Sequence, residues 1–282
     1  MKQIKEKGMK LLFLLTACVS IAAVILICVF LFANGLPAIK EIGIFKFLLG
    51  IKWKPANNLY GIFPMIVGSL YVTAGALLLG VPVGILTAVF LARFCPRPLY
   101  KPLKSAVNLM AGIPSVVYGF FGLVVLVPFV RETFGGRGMS VLTASVLLGL
   151  MILPTIISVS ESALRAVPQS YYEGGLALGA SHERSVFRTI LPAAKSGIFA
   201  GVVLGIGRAV GETMAVMMVA GNQAVIPDGI LSGVRTLTTN IVLEMGYSTD
   251  LHREALIGTA VVLFVFILII NLSLSLLKRR EK

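Results

Sequence analysis

The chain contains few charged residues, few cysteines and almost no histidine. Aspartate, glutamate, lysine and arginine make up 13% of its 282 residues, while 57% are hydrophobic. Cys18, Cys28 and Cys95 have no metal-ligand spacing, and the first two lie about 15 Å apart along one predicted helix. His182 and His252 are isolated and are interpreted as ordinary surface histidines. We therefore expect no disulfide, no metal site and no bound cofactor in this chain.

Motifs for ATP binding and for catalysis are missing as well. The sequence has no Gly-x-x-x-x-Gly-Lys-Ser/Thr phosphate loop, so we expect no ATP site. Paired carboxylates, His-rich metal spacing and a Ser/His arrangement are absent, which argues against a membrane-embedded enzyme. A self-sufficient secondary transporter or channel would need inverted repeats or coupling-ion sites, and the sequence shows neither a repeat nor an acidic cluster.

Long hydrophobic runs are abundant, and the mean hydropathy is +0.95. A helix rises 1.5 Å per residue, so about 20 apolar residues cross the ~30 Å core of a bilayer. The sequence predicts an all-α integral membrane protein with kinks at Pro82 and Pro154 and a helix entry at Pro64. Its six transmembrane helices are predicted within residues 11–33, 55–92, 105–130, 138–160, 196–220 and 255–277.

Basic residues flank these spans and form no stripe on a soluble face, so the net charge of +13 does not predict a nucleic-acid partner. Of the 25 lysines and arginines, sixteen flank the side that holds both termini and eight flank the other side. The last, Arg208, lies within a span. Because cytoplasmic loops carry the excess of positive charge, both termini are predicted to be cytoplasmic.

Two external segments are longer than simple turns. Residues 34–60 carry apolar side chains at near-helical spacing and end with Trp53 and Tyr60, which is typical of a helix in the headgroup layer with aromatic anchors. A docking site for an external partner is the alternative. The polar residues of 221–254 either line a vestibule or cover helix ends. We divide the chain into residues 1–63, the first span with this amphipathic segment, and residues 64–282, the core.

Arg208 and Glu212 lie in the middle of the predicted span at 196–220. An isolated charge at the bilayer centre costs roughly 3 kcal/mol, and positions i and i+4 of a helix share one face, so the two side chains are predicted to pair. Gly201 and Gly205 extend the same stripe, which should face protein or water. Intramembrane ions are usually functional, and a purely structural pair is the alternative.

The longest cytoplasmic loop, residues 161–195, is predicted to form two short helices with a turn. Gly179 suits the left-handed position after the first helix, and Ser181 suits the cap of the second. Leu191-Pro192 is predicted to break the second helix. Such a hairpin leaves apolar side chains for the headgroup layer or a protein partner to cover, namely Leu176, Leu178, Val186, Phe187 and Ile190.

This loop resembles the EAA coupling loop of binding-protein-dependent ABC importer permeases, which docks on the ATPase subunit. The matching residues are Glu173, Gly174, Gly175, Gly179, Leu191 and Pro192. The two alanines of the family pattern are replaced here by Gly174 and Gly175, and Thr189 stands where an apolar residue is usual. The resemblance implies a type-I permease core from about Pro64 to about Leu277, with residues 161–195 as the coupling loop.

A finer resemblance lies in the next span. The sequence GRAVGETMA at 207–215 is similar to the signature of phosphate-specific permeases, and VAGN at 219–222 favours the PstC-type subunit. AGIPSVVYGF at 111–120 and RTLT at 235–238 also look like that subunit. The resemblance implies Arg208 as the contact for phosphate, Glu212 as its partner, and Thr213, Ser115 and Tyr118 as hydroxyl donors along the route.

The same resemblance implies the assembly and its location. Energy would come from ATP used by a PstB-type ATPase dimer, beside a homologous PstA-type permease and an external PstS-type phosphate-binding protein. The location would be the cytoplasmic membrane of a bacterium or archaeon. A permease for sulfate or molybdate is the alternative, since a guanidinium suits any tetrahedral oxyanion.

Overall fold

The computed structural model describes residues 2–280, except for the side chains of residues 2–5, 7 and 274–280, and it is almost wholly helical. Lys282, one of the predicted cytoplasmic cations, lies outside the described residues. The helices are α1 Lys2–Ile42, α2 Ile44–Leu49, α3 Phe63–Val89, α4 Arg97–Gly112, α5 Ser115–Phe121, α6 Val127–Phe134, α7 Val141–Ala166, α8 Gln169–Ala177, α9 His182–Ser185, α10 Leu191–Ala193, α11 Lys195–Gly211, α12 Met214–Val219, α13 Leu237–Met245 and α14 Asp250–Arg280. A small antiparallel hairpin joins β1, Trp53–Lys54, to β2, Leu59–Tyr60.

The predicted membrane class is confirmed. Five helical stretches in the described part of the chain are long and apolar enough to span a bilayer: Gly8–Ile42, Phe63–Phe94, Ser115–Phe134, Val141–Ala166 and Asp250–Ser273. The fifth predicted span, residues 196–220, is present in a bent and broken form. Its main helix, α11, follows the helical stretch His182–Ala193 at an angle of 67°.

The third predicted span, residues 105–130, is not one continuous helix, and this part of the prediction is wrong. Ile113 has extended backbone, with φ −71° and ψ 126°, and separates α4 from α5. The reason is Pro114, which has no N–H and disfavours helical backbone at the residue before it. Pro82 and Pro154, in contrast, lie inside the continuous helices α3 and α7.

Helix α7 is the centre of the core, because it packs against both α3 and α11. Glycines on the neighbouring helices allow the close approach. A Cβ atom at Gly80 would lie 2.8 Å from Ile152 Cδ1, and one at Gly205 would lie 3.0 Å from Ile156 Cγ1. The stripe that carries Gly205 thus faces protein, as predicted, and α11 is held firmly against the core.

The N-terminal segment packs against the core more closely than predicted. Helix α1 continues to Ile42 and passes α14 closely at Gly35, where a Cβ atom would lie 2.7 Å from Val261 Cγ2. The prediction that Trp53 and Tyr60 anchor this segment in the headgroup layer is wrong. Both side chains are buried, in a cluster with Leu237 of α13 and with residues of α14.

Candidate functional site: a break in the fifth span

The fifth span is interrupted at its middle. Helix α11 ends at Gly211 and α12 begins at Met214, so that Glu212 and Thr213 belong to neither helix. Glu212 has φ −69° and ψ 130°, and Thr213 has φ −120° and ψ −59°. The prediction of one continuous helix over 196–220 is therefore wrong at Glu212 and Thr213.

Three hydrogen bonds satisfy backbone groups that the break would otherwise leave exposed. The Thr213 hydroxyl donates to the Gly211 carbonyl at 3.3 Å. The Ala215 N–H donates to Glu212 Oε1 at 3.1 Å, and the Thr238 hydroxyl donates to the Glu212 carbonyl at 3.1 Å. An unsatisfied backbone group in a bilayer core costs several kcal/mol, so these bonds make an unwound segment tolerable there.

The predicted ion pair between Arg208 and Glu212 is absent. The break turns the Glu212 carboxylate towards the start of α12, and no carboxylate of the described residues forms an ion pair with Arg208. Arg208 Nε is buried and has no hydrogen-bond partner within the described chain. The guanidinium therefore has a hydrogen-bond donor that no described residue satisfies.

A second interrupted region lies beside this one, because α5 packs against α12. A Cβ atom at Gly119 would lie 3.0 Å from the Ala215 backbone. The Tyr118 hydroxyl donates to the Met110 carbonyl at 3.0 Å, near the end of α4, and the Arg208 charge acts on that hydroxyl. The structure thus places Tyr118, on α5, beside the helix break that Arg208 precedes, and Ser115 is the first residue of the same helix. These residues were predicted to share one route.

A buried polar group, which we name the external cluster, lies at the far side of α12 and consists of Trp53, Arg235, Asn240, Glu244 and His252. Glu244 Oε2 accepts from Trp53 Nε1 at 2.8 Å and lies 2.9 Å from His252 Nε2, while Oε1 accepts from Arg235 at 2.6 Å. Arg235 also donates to Asn240 Oδ1 at 3.0 Å.

The external cluster contradicts the interpretation of His252 as an isolated surface residue. The sequence analysis also missed Glu244, although an acid in the same predicted external segment as Arg235 was a signal for such a pair. Arg235 Nε donates to the carbonyl of Asn222, just after α12, at 2.9 Å. The cluster therefore fixes the end of the broken span that follows α12.

Stability is expected to depend on pH through Glu244, which lies outside the spanning stretches. Burial raises the pKa of Glu244, but the hydrogen bonds from Trp53, Arg235 and His252 lower it by more, so that the net pKa is below its ordinary value. A depressed carboxyl pKa contributes stability above the unfolded pKa of about 4.3, and this contribution is lost as pH falls through the folded value. We expect the melting temperature of the purified protein to fall below about pH 4.3.

Glu244→Gln tests this assignment in the same melting series. This variant should have a lower melting temperature than the parent at pH 7, and its melting temperature should change less as the pH falls. Glu254→Gln, at an exposed position, should keep the parent's dependence of melting temperature on pH. An unchanged profile in Glu244→Gln would contradict the assignment.

The predicted coupling loop has the local geometry expected from its sequence. Gly179 has φ +82°, its N–H donates to the Leu176 carbonyl at 2.9 Å, and the Ala180 N–H donates to the Gly175 carbonyl at 3.1 Å, the two bonds of a Schellman motif. Ser181 caps α9 by accepting from the Arg184 N–H. Both predicted roles, of Gly179 and of Ser181, are confirmed.

Two other predictions for this loop need correction. The helical run does not end at Leu191-Pro192 but continues to Ala193, and a π-helical turn at Val186–Ile190 directly precedes Leu191 and Pro192. His182 is not isolated, because its Nδ1 lies 2.9 Å from the Tyr172 hydroxyl and its ring packs on Phe94.

The apolar side chains of the loop divide into two groups. Val186 and Ile190 are fully buried against the rest of the chain. Leu178 is 91% exposed, and Leu176 and Phe187 are also exposed; we call these three the apolar tip. The tip is the part of the loop that still needs a cover.

The two glycines that replace the alanines of the coupling-loop pattern differ in their surroundings. A Cβ atom at Gly175 would lie 2.7 Å from the buried Ser185 Oγ, whereas one at Gly174 would meet nothing within 4 Å. Since alanine is favoured over glycine in a helix by about 0.5–1 kcal/mol, we expect Gly174→Ala to slow hydrogen exchange in α8. Gly175→Ala should speed it, and equal effects of the two variants would contradict the close packing of α8 on α9.

Comparison with known proteins defines the class first. The fold is that of a type-I ABC transporter permease. It matches a chain from the crystal structure of a bacterial ABC transporter involved in the import of the acidic polysaccharide alginate with a TM-score of 0.63. The sequences are 17% identical, and the match covers 97% of this chain and 98% of that one.

The chain belongs to the family of binding-protein-dependent transport system inner membrane components, whose model matches residues 80–282. It is 39% identical over 278 residues to the probable ABC transporter permease protein YqgH of Bacillus subtilis, with 95% of this chain and 90% of that protein covered. It is 35% identical over 265 residues to the phosphate transport system permease protein PstC of Mesorhizobium japonicum, covering 86% and 81%. The resemblance drawn from the motifs is confirmed.

Proposed function

We propose that the chain is the PstC-type permease subunit of an ATP-driven importer and that it carries inorganic phosphate across the cytoplasmic membrane of a bacterium or archaeon. The relatives named as phosphate permeases support the substrate. The single observation that carries the proposal is the unpaired Arg208 guanidinium at the helix break. Its planar fork of donors matches a tetrahedral oxyanion.

The hydroxyl groups near Arg208 have unequal roles in this proposal. The hydrogens of Thr213 and Tyr118 are engaged by backbone carbonyls, so these two side chains act first as supports of the broken segments. Ser115, at the start of α5, is partly exposed and is the better placed of the three to donate to a passing anion. We propose Arg208 as the main contact and Ser115 as a secondary one.

The proposal includes partners, because a permease without its own ATP site needs an external source of energy. A PstB-type ATPase dimer would bind the apolar tip and the coupling residues around it. A homologous PstA-type permease would complete the translocation route, and a PstS-type protein would deliver phosphate from outside. The positive-inside bias supports an orientation with both termini in the cytoplasm, on the side of the coupling loop.

Uptake of labelled phosphate tests the function. We expect proteoliposomes that contain the assembled complex to accumulate labelled phosphate when ATP is present on the side of the membrane that carries the ATPase subunits. Unlabelled sulfate should not compete with this uptake. Competition by sulfate or molybdate would favour the alternative oxyanions. Uptake by this chain without ATPase subunits would favour an ATP-independent transporter.

A further inference from the structure

The Glu212 carboxylate accepts from the Ala215 N–H in the structure, and in a continuous helix it would lie four residues after Arg208 on the same face. We propose that Glu212 is a latch for the anion site. It caps α12 while the span is broken, and it pairs with Arg208 when the span winds into one helix, displacing the anion that Arg208 held. The inference rests on the proposed function, because it takes the ligand of Arg208 to be the transported anion.

Winding the break requires changes in only two backbone torsions. The ψ of Glu212 is 130°, about 170° from the helical value of −42°, and the φ of Thr213 is −120°, about 60° from the helical value of −63°. The φ of Glu212 and the ψ of Thr213 are already near helical values. The break is thus a two-residue hinge between helices that are otherwise preformed.

The hydrogen bonds of the two conformations exclude each other. In a continuous helix the Ala215 N–H bonds to the Gly211 carbonyl, so that it no longer needs Glu212 Oε1 as an acceptor. The freed carboxylate then lies at i+4 from Arg208, on the same face. Winding of the break into a helix therefore also frees the Glu212 carboxylate, which then competes with the anion for the Arg208 guanidinium.

Thr238 holds the broken conformation from outside the span. Its hydroxyl donates to the Glu212 carbonyl, which in a continuous helix would accept from the Val216 N–H instead. Thr238 lies in the first turn of α13, and the same helix carries Glu244, the centre of the external cluster. Thr238 is therefore a positioning residue that stabilises the state in which Arg208 is free.

The inner side of the hinge is connected to the coupling loop. Helix α11 begins directly after the 67° bend at the end of that loop and ends at the hinge, about 25 Å away at 1.5 Å per residue. A movement of the loop is transmitted along α11, whereas the far end of α12 is held by the bond from Arg235 to the Asn222 carbonyl. Winding under such a movement would couple the ATPase cycle to release of the anion.

A distance measurement across the hinge tests the latch. Spin labels at Leu204 and Val225, both exposed, are placed in the assembled complex after Cys18, Cys28 and Cys95 are replaced by serine. We expect two distance populations, with inorganic phosphate enriching the one of the broken span. Thr238→Val should change the ratio of the two populations about fivefold in favour of the continuous helix, as expected for loss of one hydrogen bond. Thr87→Val, which removes a hydroxyl bond within α3, should not.

Glu212→Gln provides the second test, because glutamine keeps an oxygen acceptor for the Ala215 N–H but lacks the charge that competes for Arg208. We expect the apparent KM for phosphate to fall and the maximal uptake rate to fall with it, since release is slowed. A merely structural cap would leave KM unchanged.

The outcomes separate the latch from the function on which it rests. A single distance population that neither phosphate nor Thr238→Val alters would overturn the latch, even if uptake still requires Arg208. Phosphate uptake that persists in Arg208→Gln would instead overturn the assignment of Arg208 as the anion contact.

Discussion

Replacing Arg208 with glutamine is expected to reduce phosphate uptake by roughly 30-fold or more, because loss of a buried, hydrogen-bonded charge contact costs at least about 2 kcal/mol. Arg208→Lys should be intermediate, since it keeps the charge and loses the planar fork of donors. Arg253→Gln, at an exposed position in the predicted external segment, is the matched control and should transport like the parent. Uptake is measured in proteoliposomes at equal amounts of assembled complex.

The same variant separates a transport role from a structural one. Arg208 has no carboxylate partner within the described residues, and its Nε is buried without a hydrogen bond, so removal of the guanidinium should not lower the melting temperature of the complex. A fall in the melting temperature with normal uptake would show that Arg208 stabilises packing and does not contact the anion.

Leu178→Glu is expected to remove the ATPase subunit from the purified complex and to reduce uptake at least about tenfold. Leu178 is 91% exposed at the apolar tip, so the chain itself loses little packing when it changes. A carboxylate at this position would be buried against the ATPase without a partner, at a cost of several kcal/mol. Co-purification and ATP hydrolysis report the effect.

Phe45→Glu is the matched control for the apolar tip. Phe45 is 79% exposed on α2, in the predicted external segment, and the variant should leave ATPase binding unchanged. An ATPase that remains bound to Leu178→Glu would show that the tip is covered by something else.

The spans were predictable because hydropathy follows the bilayer, which demands long apolar helices and satisfied backbone groups. The local geometry of residues 161–195 was predictable for a different reason. Gly179 and Ser181 act through local backbone geometry, and the sequence holds that information within a few residues. Where a structural feature is local, the pattern of residues was sufficient.

The two breaks show where local information ends. The break before Ser115 had a signal in Pro114, but the apolar run around it suggested one helix. The break at Glu212 has no comparable signal, since it is stabilised by Thr238, which lies 26 residues further along the chain. The predicted pair of Arg208 and Glu212 failed because it assumed helical backbone between them.

The N-terminal segment shows the same limit. Its helical spacing correctly predicted an apolar face, but the pattern gave no information on what covers that face. The cover comes from α13 and α14, and the polar end of Trp53 bonds to Glu244, 191 residues away. Distant tertiary contacts of this kind decide whether an amphipathic segment lies in lipid or joins the core.

A cryo-electron microscopy map of the assembled complex in the presence of phosphate, with an ATPase that binds but does not hydrolyse ATP, tests the central claim most directly. The account predicts tetrahedral density within hydrogen-bond distance of the Arg208 guanidinium, at the break between α11 and α12. Density for the anion elsewhere along the route, with Arg208 paired to Glu212 in the same map, would contradict it.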